Sequence, residues 1–406
     1  METNKLDFLL ALRAFACMTV VLTHCFAVIP SNMQANVLFF GNLNLTWAVR
    51  SCAWAGVWVF FCLSGYLMGK AFYSRRYELS DEGVLNFWKN RFLKIWPVYY
   101  FNLLILFAFI SPDILRPINW RYIYASTPFN YDGSALYFPN SALWSVSTEF
   151  QFYLIVPFLC VIFYPRLKTD KQIVISIIVN ITFALVLRMV GFFWQDSKPG
   201  VGLFINTEFK PLYFNLDLFI TGFLLNVLVA NNKGKIGMIN DIINSNRILI
   251  NILSIVIFYV IASFISYNAF IEADIVFENI FIFVLPPLTA IFSSFFIYIN
   301  EVVVSHETQI RNKPISFNAI KGNPWRILEI YGLLTFGIYV WHGPIIQSTE
   351  KLFKADTPLT ELVLRFVGVM ALTTLFASIT YIGIEKPAAK LKKFSIHRDA
   401  RSSWAS

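Results

Sequence analysis

The segment Leu6–Ile29 reads LDFLLALRAFACMTVVLTHCFAVI, a mostly apolar run that is long enough to cross a bilayer as a helix. Arg13 and His24 interrupt it. At about 100° per residue their spacing closes to within about 20° of three turns, which predicts both side chains on one helix face, roughly 16 Å apart. Ionisable groups at membrane depth are costly and usually face protein, water or a substrate path. The pair therefore predicts a functional site in the membrane.

The composition of the whole chain is that of a membrane protein. It has 406 residues, of which 57% are hydrophobic and 14% charged, whereas soluble domains have about a quarter of charged residues. We therefore predict an all-α, polytopic transmembrane helix bundle of about ten spans. The predicted spans are Leu6–Ile29, Thr46–Met68, Ile95–Ile110, Leu143–Tyr164, Ile173–Trp194, Leu212–Ala230, Ile248–Tyr267, Val276–Ile299, Leu328–Gln347 and Leu359–Ile382.

The distribution of lysine and arginine predicts the orientation. With the N-terminus inside, 23 of the 33 basic residues fall on cytoplasmic segments and six on external ones. Cytoplasmic loops carry such an excess, so both termini are expected in the cytoplasm. The sequence then divides into one transmembrane domain, residues 1–385, and a basic cytoplasmic tail, residues 386–406. This asymmetry and anionic lipid explain the net charge of +9 without nucleic acid.

The ionisable residues within the spans fall into two groups by depth. The outer half of the predicted membrane contains His24, Arg50, Glu149, Asp217 and His342, and the inner half or inner surface contains Arg13, Arg91, Lys94 and Arg326. This arrangement predicts an anion-binding mouth that faces the cytoplasm and an acid/base cluster nearer the far side. Alternatively, Arg13 snorkels to the inner headgroups and His24 is a structural histidine bonded to a carbonyl. Arg188 and Arg365 are expected to snorkel.

Glu149 belongs to a predicted polar stripe. Ser145, Glu149 and Tyr153 recur every four residues and share a helix face. A carboxylate there would orient an imidazole and stabilise its cation, which predicts a Glu149–His24 partnership. A structural ion pair of Glu149 with Arg50 is the alternative. No ligand-spaced motif joins the histidines and Glu149, so no metal is expected.

Six segments together resemble the acyltransferase-3 family of integral membrane acyltransferases. Arg13-x10-His24 is similar to the family's Arg/Lys-x10-His signature, and Arg91-x-x-Lys94 is similar to its Arg-x-x-Arg motif with lysine in second place. Lysine keeps the charge but loses bidentate contact. The remaining resemblances are Phe60–Leu67, Trp144–Tyr153, Gly337–Pro344 and Ile384–Pro387.

The resemblance implies a membrane-bound O-acyltransferase that moves an acyl group, usually acetyl from acetyl-CoA, to a hydroxyl. The implied acceptor is a cell-envelope glycan such as O-antigen, or a lipid-linked saccharide, and the implied location is the bacterial cytoplasmic membrane. The chain ends soon after the tenth span, which is expected of a standalone member without a fused esterase-like domain.

Roles for individual residues follow from this expectation. Arg13, Arg91, Lys94 and Arg326 suit the phosphates of acetyl-CoA, the acyl-donor substrate, and His24 held by Glu149 would deprotonate the acceptor hydroxyl. Ser145 or His342 would stabilise the oxyanion. A transporter or proton-coupled carrier is the alternative function, since carriers also use intramembrane Arg, His and Glu. No inverted repeat is visible in the two halves of the sequence.

Overall fold

The computed structural model describes residues 4–110, 140–194, 210–232, 243, 245–303 and 314–392. These residues form a helical bundle with one two-stranded hairpin, Phe39–Phe40 (β1) and Leu43–Asn44 (β2). Some basic residues on which the predicted orientation depends lie outside the described residues, namely Arg116, Arg121, Lys198, Lys233, Lys235, Arg311, Lys313 and those of the tail from residue 393 onward.

The helices before the external segment of the sequence are Phe8–Ala27 (α1), Thr46–Arg50 (α2), Ala53–Tyr73 (α3) and Asp81–Ile105 (α4). Those in the middle are Trp144–Phe163 (α5), Asp170–Trp194 (α6), Leu216–Asn232 (α7), Arg247–Phe270 (α8), Ile275–Phe283 (α9) and Leu285–Val303 (α10). The last are Phe317–Gly322 (α11), Ile327–Ser348 (α12), Pro358–Thr380 (α13) and Lys386–Lys390 (α14), with the π-helical turn Tyr381–Glu385 between α13 and α14.

Eight helices of the described chain are long and apolar enough to cross a membrane, and each overlaps a predicted span. The eighth predicted span, Val276–Ile299, is divided between α9 and α10. The sixth and ninth predicted spans form α7 and α12, which fall outside these eight. α7 is apolar but has only 17 residues. α12 is long enough but mostly buried, and a helix surrounded by other helices needs less apolar surface than one that faces lipid. The protein is therefore a multi-pass membrane protein, and the ten-span topology with cytoplasmic termini stays a prediction.

The third predicted span begins too late in the sequence. The helix runs continuously from Asp81 to Phe109, rather than from Ile95. Ser80 caps its N-terminus, since the Ser80 hydroxyl accepts a hydrogen bond from the Gly83 amide at 3.2 Å. Such a cap marks a helix start. The apolar pattern alone missed this start because the first turns carry charged residues, and Arg91 and Lys94 consequently lie inside a long helix.

The centre of the bundle is the close packing of α3 on α7. A Cβ atom at Gly65 would lie 2.0 Å from the Phe219 carbonyl oxygen, and one at Gly222 would lie 2.0 Å from that of Cys62. Only glycine permits this approach, which membrane helices commonly use. Gly65 belongs to the Phe60–Leu67 segment, so this motif has a packing role, and it fixes the adjacent Ser64 in the interior.

Helices α1 and α12 lie side by side with their N-termini at the same end. There the Asp7 amide donates to Glu329 at 2.9 Å and the Arg326 guanidinium donates to Asn4 at 2.8 Å. We call this the Phe8 end of the bundle, and we call the opposite one the Ala27 end. The pairing brings the faces of Arg13 and His24 against α12.

Two intramembrane arginines do not snorkel, contrary to the sequence-based expectation. Arg188 is fully buried and pairs with Asp217 at 2.8 Å. Arg365 is fully buried and pairs with Glu361 at 2.5 Å. Each charge is compensated within the bundle, as intramembrane charges usually are, and Asp217 thus has a structural partner on α6.

Candidate active site

A cavity with about 140 Å³ of free space lies between α1, α3, α4, α5 and α12. Its polar lining brings together most of the residues that the sequence singled out. The side chains that contribute polar atoms are Arg13, Ser64, Arg91, Lys94, Ser145, Glu149, Tyr153, Thr335 and Tyr339. Apolar side chains such as Phe60, Phe61 and Phe336 complete the wall. The cavity is thus a narrow, mostly apolar pocket with a cationic region.

Arg13 and Arg91 supply two guanidinium groups that no carboxylate of the described residues pairs with. The Nε atoms of both arginines are enclosed and have no hydrogen-bond partner there. The Arg91 guanidinium lies over the rings of Phe87 and Tyr153, 5.9 and 5.8 Å from their centroids, which holds its orientation without neutralising its charge. The two groups are therefore available to an anion.

Lys94 is the third cation of the cavity, and its charge is engaged differently. Its ammonium forms an ion pair with Glu385 on the π-helical turn and lies 5.6 Å from the centroid of Phe336. Glu385 is buried, and its Oε1 atom has no hydrogen-bond partner in the described chain. The Glu385 carboxylate thus fixes Lys94 at the edge of the cavity.

Lys392 lies just beyond α14, next to these cations. Burial, together with the positive charges of Arg91 and Lys94, lowers the pKa of Lys392 to about 8, while the Glu385 carboxylate opposes the shift. A lysine with this pKa is charged at neutral pH and loses its charge in mildly alkaline solution. It therefore makes the basic region sensitive to pH.

We expect the use of an anionic substrate at this cavity to weaken as the pH rises through about 8. Below the lowered pKa the Lys392 ammonium attracts the anion, and above it the neutral amine does not. The measurement is the pH profile of the substrate KM. Lys392→Arg, which stays charged, should flatten the profile between about pH 7 and 9, and Lys392→Gln should give the weaker binding throughout. An unchanged profile in both variants would contradict this role.

The predicted stripe on α5 is confirmed, since Ser145, Glu149 and Tyr153 all line the cavity. The Tyr153 hydroxyl donates to Glu149 Oε1 at 2.5 Å and accepts from Ser64 at 3.2 Å. Glu149 therefore ends a short hydrogen-bonded chain that begins at the Phe60–Leu67 motif.

Glu149 does not contact His24, which was its predicted partner. Among the described residues, its hydrogen-bond partner is Tyr153, and no ion pair joins it to Arg50, the alternative partner. The reason is position: Glu149 lies with Arg13, Arg91 and Lys94 around the cavity, whereas His24 packs against α12. Helix periodicity gives the face of a residue but does not give the neighbour across it.

The two histidines instead form a pair. The ring centroids of His24 and His342 are 5.0 Å apart. His24 Nδ1 bonds the Val20 carbonyl at 2.9 Å, and His342 Nδ1 bonds the Tyr339 carbonyl at 2.6 Å. Since a carbonyl only accepts, both Nδ1 atoms carry the hydrogen when the rings are neutral, and both Nε2 atoms are left as bases. The His342 ring is fully buried, and its Nε2 has no partner in the described part of the chain.

Tyr339 connects the histidine pair to the cavity. Its ring lies 5.3 Å from the centroid of His342, and its hydroxyl lies 2.7 Å from Ser145 Oγ and 3.0 Å from the Ala142 carbonyl oxygen. Tyr339 was not among the predicted site residues. Its position, three residues before His342 and so on the same helix face, is the signal that would have indicated it.

Arg326, predicted with the donor-binding cations, does not line the cavity. It is buried at the Phe8 end, where it forms an ion pair with Glu329 at 2.8 Å and also contacts Asn4. These contacts join the N-terminus of α12 to that of α1. Its placement therefore separates it from Arg13 and Arg91.

The whole bundle matches a known family. A model described as an acyltransferase domain, that of the acyltransferase-3 family, matches residues 6–382. The chain belongs to this family, which confirms the resemblance drawn from its motifs.

Curated relatives are similar at low identity. The peptidoglycan O-acetyltransferase OatA of Listeria monocytogenes is 24% identical over 368 residues, which are 86% of this chain and 53% of the relative. The O-acetyltransferase OatA of Staphylococcus aureus strain MRSA252 is 24% identical over 412 residues, 97% of this chain and 59% of the relative. The chain thus spans somewhat more than half the length of these relatives. No solved structure matches.

Proposed function

We propose that this protein is an O-acyltransferase of the bacterial cytoplasmic membrane that moves acetyl from acetyl-CoA to a hydroxyl of a cell-envelope glycan. One observation carries the proposal. The Arg13 and Arg91 guanidiniums, unneutralised by carboxylates in the described chain, line a narrow cavity, and the Tyr339 ring joins the wall of that cavity to the His24–His342 pair. In this arrangement the guanidiniums would bind an anionic donor, and the histidine pair would supply the base for an acceptor hydroxyl.

The donor would enter from the end that holds Arg91 and Lys94. Guanidinium groups bind phosphate oxygens through paired, charge-assisted hydrogen bonds, which suits the phosphates of acetyl-CoA. The apolar wall formed by Phe60, Phe61 and Phe336 suits the pantetheine arm. Arg13 lies on the same helix face as His24, so the arm would lead the thioester along α1 towards the histidine pair.

The transfer step requires a base. His24 Nε2 would remove the acceptor hydroxyl proton while the hydroxyl oxygen attacks the thioester carbonyl. The tetrahedral intermediate would then collapse, breaking the C–S bond, and His24 would return the proton to the departing thiolate. Ser145, which lines the cavity and is held by Tyr339, would stabilise the oxyanion. A neutral His342 has its hydrogen on Nδ1 and would not donate from Nε2, so Ser145 suits that role better.

The acceptor class follows from the relatives of this chain. The name of the Listeria relative refers to peptidoglycan, which supports an envelope glycan, or a lipid-linked saccharide precursor, as the acceptor. Family membership supports acyl transfer over the alternative of a proton-coupled carrier, although both would use intramembrane arginine and histidine.

The test uses membranes that contain the wild-type protein, supplied with acetyl-CoA labelled in the acetyl group. We expect label in the envelope glycan, released by mild base as expected of an ester, and a mass increase of one acetyl group per modified sugar. Membranes without the protein are the control. Label that appears only as free acetate or intact acetyl-CoA across the membrane would contradict transfer and favour the carrier.

Glu149→Gln should lower acetyl transfer about 10- to 100-fold. The amide keeps the shape of the carboxylate but loses its charge, which accepts a hydrogen bond from the Tyr153 hydroxyl and lies beside the cationic groups. Hydrogen bonds to charged groups contribute about 1.5–3 kcal/mol. Transfer by purified variants under saturating donor is the measurement. Glu149→Asp is the matched control and should retain more activity. Equal activity of Glu149→Gln and wild type would exclude a role for the charge.

A further inference from the structure

Arg50 is a charged residue at the Ala27 end that the proposed mechanism does not use. It ends the short helix α2, and its guanidinium lies 5.7 Å from the ring centroid of Phe26 and 5.7 Å from that of Phe270. Phe26 follows His24 by two residues on α1. The Arg50 charge also acts electrostatically on the His24 ring, so Arg50 lies near the histidine pair, at the end of the bundle opposite Arg326.

The backbone next to Arg50 is strained at Ser51, and the Ser51 carbonyl helps to hold the Arg50 side chain. Ser51 has φ 58° and ψ −175°, a conformation that essentially only glycine adopts without cost. Its carbonyl accepts from Arg50 Nη1 at 3.3 Å, and its buried hydroxyl donates to the Thr19 carbonyl on α1 at 3.2 Å. Strain of this kind persists where the surroundings enforce it, and it is concentrated at functional sites.

No carboxylate of the described residues forms an ion pair with Arg50. The nearby acids are engaged elsewhere: Glu272 accepts from the Tyr267 hydroxyl at 2.6 Å, and Asp274 Oδ1 accepts from the amides of Val276 and Phe277 at the start of α9. Arg188 and Arg365, by contrast, are paired with Asp217 and Glu361. An arginine that is held between two rings and left unneutralised is preorganised for an external anion.

A groove on the same surface adds a second feature. Trp47 precedes Arg50 by one helical turn on α2. The groove that it lines is completed by Asn44, Phe264, Tyr267, Asn268, Glu272 and Asp274. Trp47 and Phe264 contact each other edge to face, with ring centroids 5.9 Å apart. The indole, the amides and the two carboxylates suit the neutral, hydroxyl-bearing part of a ligand, whose anionic group would bind the neighbouring Arg50 guanidinium.

We propose that Arg50 binds a phosphate-type oxyanion at the Ala27 end, next to the histidine pair. The group is either the phosphate of a lipid-linked acceptor, which Arg50 would hold with its hydroxyl towards His24, or the headgroup of an anionic lipid. The acceptor assignment rests on the proposed function, whereas the anion site itself does not. Arg50 is in either case a binding residue and does not take part in proton transfer.

The experiment measures binding of inorganic pyrophosphate to the full chain in nanodiscs of zwitterionic lipid. The background is Arg13→Gln/Arg91→Gln, which removes the two guanidiniums that line the cavity. In it, Arg50→Gln should weaken pyrophosphate binding about 10- to 100-fold, and Arg50→Lys should weaken it less because the charge remains. Lys351→Gln, which removes an exposed cation near the C-terminus of α12, is the matched control and should have no effect.

Unchanged pyrophosphate binding in folded Arg50→Gln would overturn the proposal. If Arg50→Gln does not fold, Arg50→Lys decides, and binding equal to that of the background would then overturn it. Repeating the titration with phosphatidylglycerol in the nanodiscs separates the two sources, since a lipid headgroup site would lose pyrophosphate affinity and an acceptor site would not. Pyrophosphate binding through Arg50 without acetyl transfer by wild type would contradict the proposed function alone.

Discussion

His24→Ala should lower acetyl transfer by about 10²- to 10⁴-fold, the usual contribution of a general base. The reason is specific to the ring: its Nδ1 hydrogen is committed to the Val20 carbonyl, so Nε2 is the free base. The substitution removes a polar group from membrane depth, and we therefore expect near-normal expression and membrane insertion. The measurement is the rate of label transfer from acetyl-CoA, normalised to the amount of folded protein.

Thr23→Ala is the matched control for His24→Ala. Thr23 is the preceding residue, and its hydroxyl donates to the Thr19 carbonyl of the same helix at 2.9 Å, so its loss should change transfer little. His342→Ala tests the pair, because its bare Nε2 makes it the other candidate base. If well-folded His24→Ala protein kept wild-type transfer while His342→Ala lost it, the general base would be His342 on α12 and not His24.

Helical periodicity predicted the parts of the site that lie on one helix. The spacing of Arg13 and His24 placed both towards one neighbour, which the structure identifies as α12, and the four-residue repeat of Ser145, Glu149 and Tyr153 gave a true cavity wall. These predictions succeed because the angle between residues of one helix is fixed by its geometry. Hydropathy likewise found eight helices that could cross a membrane.

Contacts between helices could not be read from one sequence. Glu149 was expected beside His24, yet it bonds Tyr153. Lys94 pairs with Glu385, which is almost three hundred residues away along the chain. Arg326 lies at the same predicted depth as Arg91, but it pairs with Glu329 one turn along the chain, and the register of α12 against α1 places Asn4 beside it. Depth and face are local properties, whereas the partner depends on how the helices cross.

The helices α7 and α12 show a second physical limit. They were predicted as spans, and in the described bundle neither meets the length and hydropathy of the other eight. α7 has 17 residues and carries buried Asp217, and α12 carries buried Glu329 and His342. Central helices can contain polar groups because neighbouring side chains, rather than lipid, surround them. Of the two helices, α12 lines the cavity, whereas α7 supports the bundle behind it.

Arg91→Gln should raise the KM for acetyl-CoA about 10- to 100-fold, and Arg13→Gln should act in the same direction. Each removes a guanidinium that no carboxylate of the described chain pairs with, and a charge-assisted hydrogen bond contributes about 1.5–3 kcal/mol. Arg13→Lys should retain more activity than Arg13→Gln if its role is that of a point charge. Donor titration at saturating acceptor is the measurement.

The three cations of the cavity should differ in how much their substitution raises the donor KM. Lys94→Arg should be tolerated, because arginine keeps the charge that pairs with Glu385 and restores the family's pattern. Arg166→Gln is the matched control: Arg166 is exposed, bonds the Ile162 carbonyl and lies outside the cavity wall, so its loss should leave the donor KM unchanged. If Arg13→Gln and Arg91→Gln both kept the wild-type donor KM, the two residues would serve only as anchors, and the donor phosphates would have to bind elsewhere. A raised KM in Arg91→Gln alone would instead confine the phosphates to the α4 side and leave Arg13 to the thioester end of the path.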